Sequence, residues 1–210
     1  MAGDEQTTDA GGEIFLPFPM LRERIADGTH FRSTWLTASQ AALRERGHGA
    51  RYATLLAPEH KERILSIVAG LWVPMDVARA HYLACDDLQL PSQELVDIGM
   101  GAARRANATV LSIAFRLARG AGVTPWTILA QIQKIWDRTS KGGGVAVWKL
   151  GPKEARIEVV GYPLAHIRYN RITFRGIVLA VVELFCKKMY VSEVPTQCSR
   201  RTLGFRLSWV

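Results

Sequence analysis

Three cysteines, five histidines and one pair of adjacent aspartates are the residues best suited to chemistry in this chain. Cys85, Cys186 and Cys198 lie far apart, and no Gly-x-Ser-x-Gly elbow accompanies them. His166 and Cys186 can be imagined as a nucleophile and its base, as can many other pairs. Asp86 and Asp87 stand side by side at the expected end of a helix, where neighbouring side chains point in different directions, which disfavours a shared metal or proton. Lys141-Gly-Gly-Gly144 has the glycines of a phosphate loop but lacks a following Gly-Lys-Ser/Thr and leads into a strand. None of these patterns makes an active site. The expectation is a non-catalytic protein with no required cofactor and no metal.

Binding is better represented. Trp126, Trp136 and Trp148 fall close together among six tryptophans, and His166 and Tyr169 follow where the chain passes from strand to helix. Aromatic rings with a few polar tips are what small-ligand pockets use, so these five are the candidate ligand-binding residues. Ordinary core packing is the alternative for the indoles. The net charge of +8 gathers near the C-terminus. Arg168, Arg171, Arg175, Lys187, Lys188, Arg200 and Arg201 form a candidate basic patch, opposed there only by Glu183 and Glu193. Such a stretch suits an acidic partner, a phosphate or nucleic acid, or is simply a solvated face. Neither a helix-turn-helix nor the basic-aromatic interleaving of an RNA-binding sheet is present.

The elements that must position these residues change period midway. Phe31 to Arg46 reads as a helix ended by Gly47 and Gly49. A second runs from near Pro58 towards Pro74, with Ile64, Leu65, Val68, Leu71 and Trp72 as one buried stripe. Met75 to Asp87 is a third. Pro91-Ser92 opens a long helix to about Arg119, slim at Gly99 and Ala102. Thr124-Pro125 opens another, with Ile128, Leu129, Ile132, Ile135 and Trp136 on one face. Alternation then replaces helical spacing. Val145 to Leu150 and Ala155 to Val160 read as an antiparallel hairpin around Gly151-Pro152. An apolar helix over 169–188 and strands over 189–194 and 203–209 complete the chain. The fold class is α+β, a helical N-terminal half followed by a β-β-α-β-β antiparallel sheet of four strands.

Composition sets the outer bounds. Hydrophobic residues make up 48% and charged residues 22% of 210 positions, enough for one sizeable core. Residues 1–13 read as a disordered tail, 14–30 as an extended arm, and 31–210 as a single domain. The longest apolar run, Ile177 to Cys186, contains Glu183 and is too short to span a bilayer, which places the protein in the cytoplasm. Three scattered cysteines argue against a disulfide framework.

Gly122-Val-Thr-Pro-Trp126, Gly151-Pro-Lys-Glu-Ala-Arg156 with Gly161-Tyr-Pro-Leu164, Tyr169 to Gly176 and Arg206-Leu-Ser-Trp209 together carry a resemblance. The chain resembles the TRAPP-like ligand-binding fold, which includes the 4-vinyl reductase and haem-NO-binding-associated domains, and is most similar to a paralogous family of myxobacteria. The resemblance implies a cytosolic sensor or interaction module, often dimeric, without catalytic residues to transfer. Some of its members carry a cysteine-rich metal site near the final strands. Here Cys186 and Cys198 stand there without the closing cysteine, so a four-ligand site would need two more donors, of which Glu183 could offer one oxygen. A haem reading would make His166 the axial ligand, but the Tyr-x-Ser-x-Arg motif of gas-sensing haem domains is reduced to Tyr169-Asn-Arg171. The expected function is a regulatory or scaffold domain that binds a small apolar ligand or a protein partner as a homodimer. Gly99, Ala102 and the two-sided helix from Phe174 to Phe185 motivate the dimer. The alternative is a nucleic-acid-associated protein using the basic C-terminal third.

Overall fold

The computed structural model describes residues 12–106 and 122–210. The expected tail falls largely outside them. So does the second half of the helix expected to reach Arg119, with Val110, Ile113 and Leu117.

Two antiparallel sheets and a set of helices make up the described chain. The main sheet has five strands, β1 (Glu13–Leu16), β5 (Gly144–Gly151), β6 (Glu154–Val160), β7 (Met189–Glu193) and β8 (Thr202–Trp209), in the order β1-β5-β6-β8-β7. The β-β-α-β-β order is as expected. The fifth strand is supplied by the arm, whose Ile14 pairs with Trp148. In β5 to β8 the alternation read from the sequence becomes two faces. Val145 stands opposite Val159, which in turn stands opposite Leu203, and Val147 opposite Ile157, which stands opposite Phe205. All six are buried. Beyond β1 the arm crosses the other face, where Arg22 forms an ion pair with the buried Glu158 of β6 and Ile25 lies beside Gly161.

A small second sheet joins β2 (His30–Arg32), β3 (Trp72–Pro74) and β4 (Ser140–Lys141). Its presence corrects the second expected helix. That helix, α3, covers only Pro58–Leu65. Ile64 is buried, but Leu65, Val68 and Leu71 are exposed, so the proposed stripe is not one buried face. Gly70 takes φ +91, which ends helical continuation, and the Ser33 side chain accepts from Leu71 N–H and donates to Val68 C=O. Trp72 is thereby placed on β3 opposite Arg32.

Helices α1 (Ser33–Glu45) and α4 (Met75–Asp86) match their expected spans closely. A short helix α2 (Gly49–Leu55) follows Gly47, where the sequence reading had none. The helix expected after Thr124-Pro125 begins there with a capping box between Thr124 and Thr127. It is interrupted at Ala130-Gln131, giving α6 (Pro125–Leu129) and α7 (Ile132–Asp137). The apolar helix of the C-terminal region is α8 (Arg168–Val182), shorter than 169–188 because Glu183–Phe185 tightens into a 3-10 turn.

Helix α5 (Ser92–Ala106) packs on α8 with almost no side-chain gap. A Cβ at Gly99 would lie 2.0 Å from the Thr173 carbonyl oxygen, and one at Gly176 would lie 2.2 Å from that of Val96. The slim face that motivated the homodimer is therefore occupied within the chain. Contact this close requires glycine on both helices, because any side chain would occupy the space of the opposing backbone.

Candidate functional site

The α5–α8 contact fixes α8 across the inner face of the main sheet, and α6 and α7 close one end. Between them lies a cavity of about 80 Å³. Its described walls are Val145, Ile157 and Val159 of the sheet, Phe174, Ile177, Val178 and Val181 of α8, Ile132, Ile135 and Trp136 of α7, and Trp35 of α1. Strand alternation turns the three sheet residues inward, and helical spacing does the same for α8.

Four polar side chains beside the cavity are already engaged. The Tyr162 hydroxyl donates to Asn170 Oδ1 (2.8 Å), and Asn170 Nδ2 donates to the Leu164 carbonyl (3.1 Å). The Thr173 hydroxyl donates back to Tyr169 C=O (2.9 Å), and the Thr139 hydroxyl to Trp136 C=O (2.8 Å). Tyr82 differs. Its ring lines both this cavity and a much smaller one beside Ser39 and Tyr169, and its hydroxyl makes no hydrogen bond among the described residues. Burial pushes both the Tyr82 and Tyr162 hydroxyls well above the usual tyrosine range, so both stay protonated. Among the described residues the site is an apolar chamber whose wall includes one tyrosine, Tyr82, without a hydrogen bond.

A second buried group adjoins it. Tyr52 Oη lies 2.6 Å from His81 Nδ1, His81 Nε2 lies 3.6 Å from Cys85 Sγ, and Ser39 Oγ lies 2.7 Å from Tyr169 Oη. Burial lowers the His81 pKa to about 3 and raises the Cys85 thiol far above its ordinary value. A neutral imidazole beside a protonated thiol is a packed polar cluster, and no thiolate nucleophile forms there.

The five sequence-derived ligand candidates are not brought to one place. Trp136 lines the cavity, packs edge-on against Tyr162 and donates from Nε1 to Gly142 C=O (2.9 Å). Tyr169 is buried next door, at the smaller cavity, bonded to Ser39. Trp126 is elsewhere, packed on Phe15 and Trp209 with Nε1 donating to Pro152 C=O. Trp148 meets Phe18 and the Arg156 guanidinium, because its place in the β5 alternation turns it away from Val145 and Val147. His166 is exposed. Tyr82, Tyr162 and Asn170 were missed. The available signal for the last two was weak, an aromatic after the Gly161 turn and an asparagine within a helix.

The basic candidates are also divided. Arg168 donates to Leu90 C=O and Ser92 Oγ, Arg171 pairs with Glu193 (3.6 Å), and Arg201 pairs with Asp27 (2.5 Å). Lys187, Lys188 and Arg200 are exposed, while Arg175 is half-buried on α8. Among the described residues no three His, Cys, Asp or Glu side chains are grouped to hold a metal. No described helix is long and apolar enough to cross a membrane.

No protein-family model and no curated protein matches the chain. Solved structures do. The fold is H-NOX-like. An oxygen-binding H-NOX domain related to soluble guanylate cyclases, in its oxygen complex, superposes with a TM-score of 0.57 at 13% identity, covering 85% of this chain and 94% of that one. A T. tengcongensis H-NOX variant gives 0.56 at 12%, covering 85% and 97%. A structure probing haem distortion in the H-NOX family gives 0.56 at 13%, covering 85% and 94%.

Haem does not fit the described site. Iron in haem proteins is held by His, Cys, Met or tyrosinate. The described cavity wall offers no His, Cys or Met, and its tyrosines are held neutral. No Lys or Arg lines it to meet propionates, and a porphyrin needs far more than about 80 Å³. His166, the haem ligand considered from sequence, is outside the wall.

Proposed function

We propose that this chain is a non-catalytic regulatory sensor domain that holds one small, largely apolar molecule in the cavity between α8 and the main sheet. The observation that carries the reading is the satisfaction of Tyr162, Asn170, Thr139 and Thr173 by the protein itself, which among the described residues leaves Tyr82 as the polar side chain on offer. An ion would enter at a large desolvation cost, whereas an apolar ring or short chain with a single acceptor oxygen would not. The H-NOX likeness supports a ligand-sensing role at the level of fold. Kinship with the 4-vinyl reductase type and the myxobacterial family rests on the sequence motifs alone. The separate engagements of Arg168, Arg171 and Arg201 give no support to a nucleic-acid surface.

The test uses cyclohexanone and its acceptor-free match cyclohexane, with the melting temperature of the full chain as readout. Cyclohexanone is expected to raise it more than cyclohexane does, and Val178→Phe, which fills the chamber, is expected to abolish both effects. Absence of any shift would sink the reading. So would a stoichiometric haem complex with a Soret band.

A further inference from the structure

We propose that the free edge of β7 is a docking site for an extended acidic peptide, which adds to the main sheet as a sixth strand. The edge follows from topology. β7 is terminal in the order β1-β5-β6-β8-β7. Val194 N–H donates to Gly204 C=O (2.8 Å) and Val210 N–H to Lys188 C=O (3.1 Å). With Tyr190 opposite Ser208 and Ser192 opposite Arg206, these bonds set the antiparallel phase. Even-numbered residues of β7 therefore bond to β8, and the N–H and C=O groups of Met189, Val191 and Glu193 point away from it. Among the described residues nothing accepts or donates to them. A row of such groups is a template for another strand.

The surroundings select the charge of that strand. A groove of about 520 Å³ runs along the edge. Arg175 and Leu179 of α8 stand on one side of it, with Tyr190, Ser192 and Arg206 on the other. Arg175 Nε is buried without a hydrogen-bond partner. Lys187 and Lys188 are exposed where the chain enters β7. Glu193 is already paired with Arg171, and Arg206 with Glu154. Lys188 lies over the Tyr190 ring, 5.1 Å from its centroid. Arg175 and Lys187 are therefore left to meet carboxylates, with Lys188 adding positive charge beside them. In an added strand, alternate side chains face opposite sides, so one set meets Arg175 and Leu179 and the other meets Tyr190 and Ser192. A sequence alternating acidic and apolar residues fits this edge. The exposed face of Tyr190, 51% accessible, gains an apolar cover.

The probe is a fluorescein-labelled decapeptide alternating Glu and Val, titrated by fluorescence anisotropy against the full chain. Saturable binding is expected. N-methylation of every second amide leaves the charge unchanged but removes the donors, and is expected to weaken binding by about tenfold or more. Arg175→Glu is expected to weaken the unmodified peptide by about tenfold. Val191→Pro deletes one outward N–H without touching the β8 ladder, and is expected to weaken binding comparably. If that variant does not fold, the methylated peptide decides the question alone. Equal binding of methylated and unmodified peptides would overturn the proposal in favour of a diffuse cationic surface. Equal competition by duplex DNA of matched charge would also overturn it. A dimer in sedimentation that Val191→Pro dissociates would assign the edge to a second copy and overturn it too. Absence of saturable binding has the same consequence.

Discussion

Gly99 of α5 and Thr173 of α8 meet backbone to backbone, with space for no side chain between them. Gly99→Ala must push the helices apart, and a loss of about 1–3 kcal/mol is expected in urea denaturation despite alanine's better helix propensity. Gly101 on the same helix is the control. Among the described residues a Cβ there meets only the Arg105 guanidinium end at 3.0 Å, so Gly101→Ala is expected to be neutral or stabilising by up to about 1 kcal/mol.

Tyr82 and Tyr162 line one cavity but differ in their partners. Tyr162→Phe leaves Asn170 Oδ1 without its donor in a buried setting, and a loss of about 1–3 kcal/mol is expected. Tyr82→Phe breaks no hydrogen bond to a described residue, so stability is expected to stay within about 0.5 kcal/mol of the parent. The same variant is expected to erase the preference for cyclohexanone over cyclohexane.

His81 gives stability a pH dependence. Burial depresses its folded pKa from 6.5 to about 3, so between these values the unfolded chain binds a proton that the folded chain does not. Stability is then full above about pH 6.5 and falls as the pH drops towards 3, with a slope of up to about 1.4 kcal/mol per unit. Its neighbours Tyr52, Tyr82 and Cys85 are all shifted upward and stay neutral through this window. Denaturation of His81→Gln at about pH 5–6.5, above most carboxylate titrations, is expected to lose this slope. An unchanged slope would assign it to other groups.

Trp136 both supports the cavity and lines it. A Cβ at Gly143 would lie 3.0 Å from the indole, and the ring also meets Tyr162 edge-on. Trp136→Ala is expected to cost about 3–5 kcal/mol and to enlarge the chamber. Calorimetry reads the first effect, and a larger apolar probe than cyclohexane reads the second.

Arg22 tethers the arm through Glu158, which is buried on β6. Arg22→Ala leaves that carboxylate with less compensation, and faster hydrogen exchange is expected over Glu13–Leu16, the strand the same arm contributes. Unchanged protection there would show that β1 holds without the ion pair.

The sequence by itself determined the local features of this protein. Alternation at Val145, Val147, Ile157 and Val159, the Thr124-Pro125 start and the positive-φ stop at Gly47 were all legible, because periodicity and caps depend on residues within a few positions of each other. Tertiary structure decided the rest. The sequence shows that Gly99 is small; only packing shows that Thr173 fills the space beside it, where a second chain had been expected. Trp126, Trp136 and Trp148 are close in sequence and separate in space, because a strand and a break in the preceding helix turn their side chains in different directions. Tyr82 and Phe174 are far apart in sequence and share a cavity. A pocket is a relation among distant residues, and local spacing carries no record of which distant surfaces will meet.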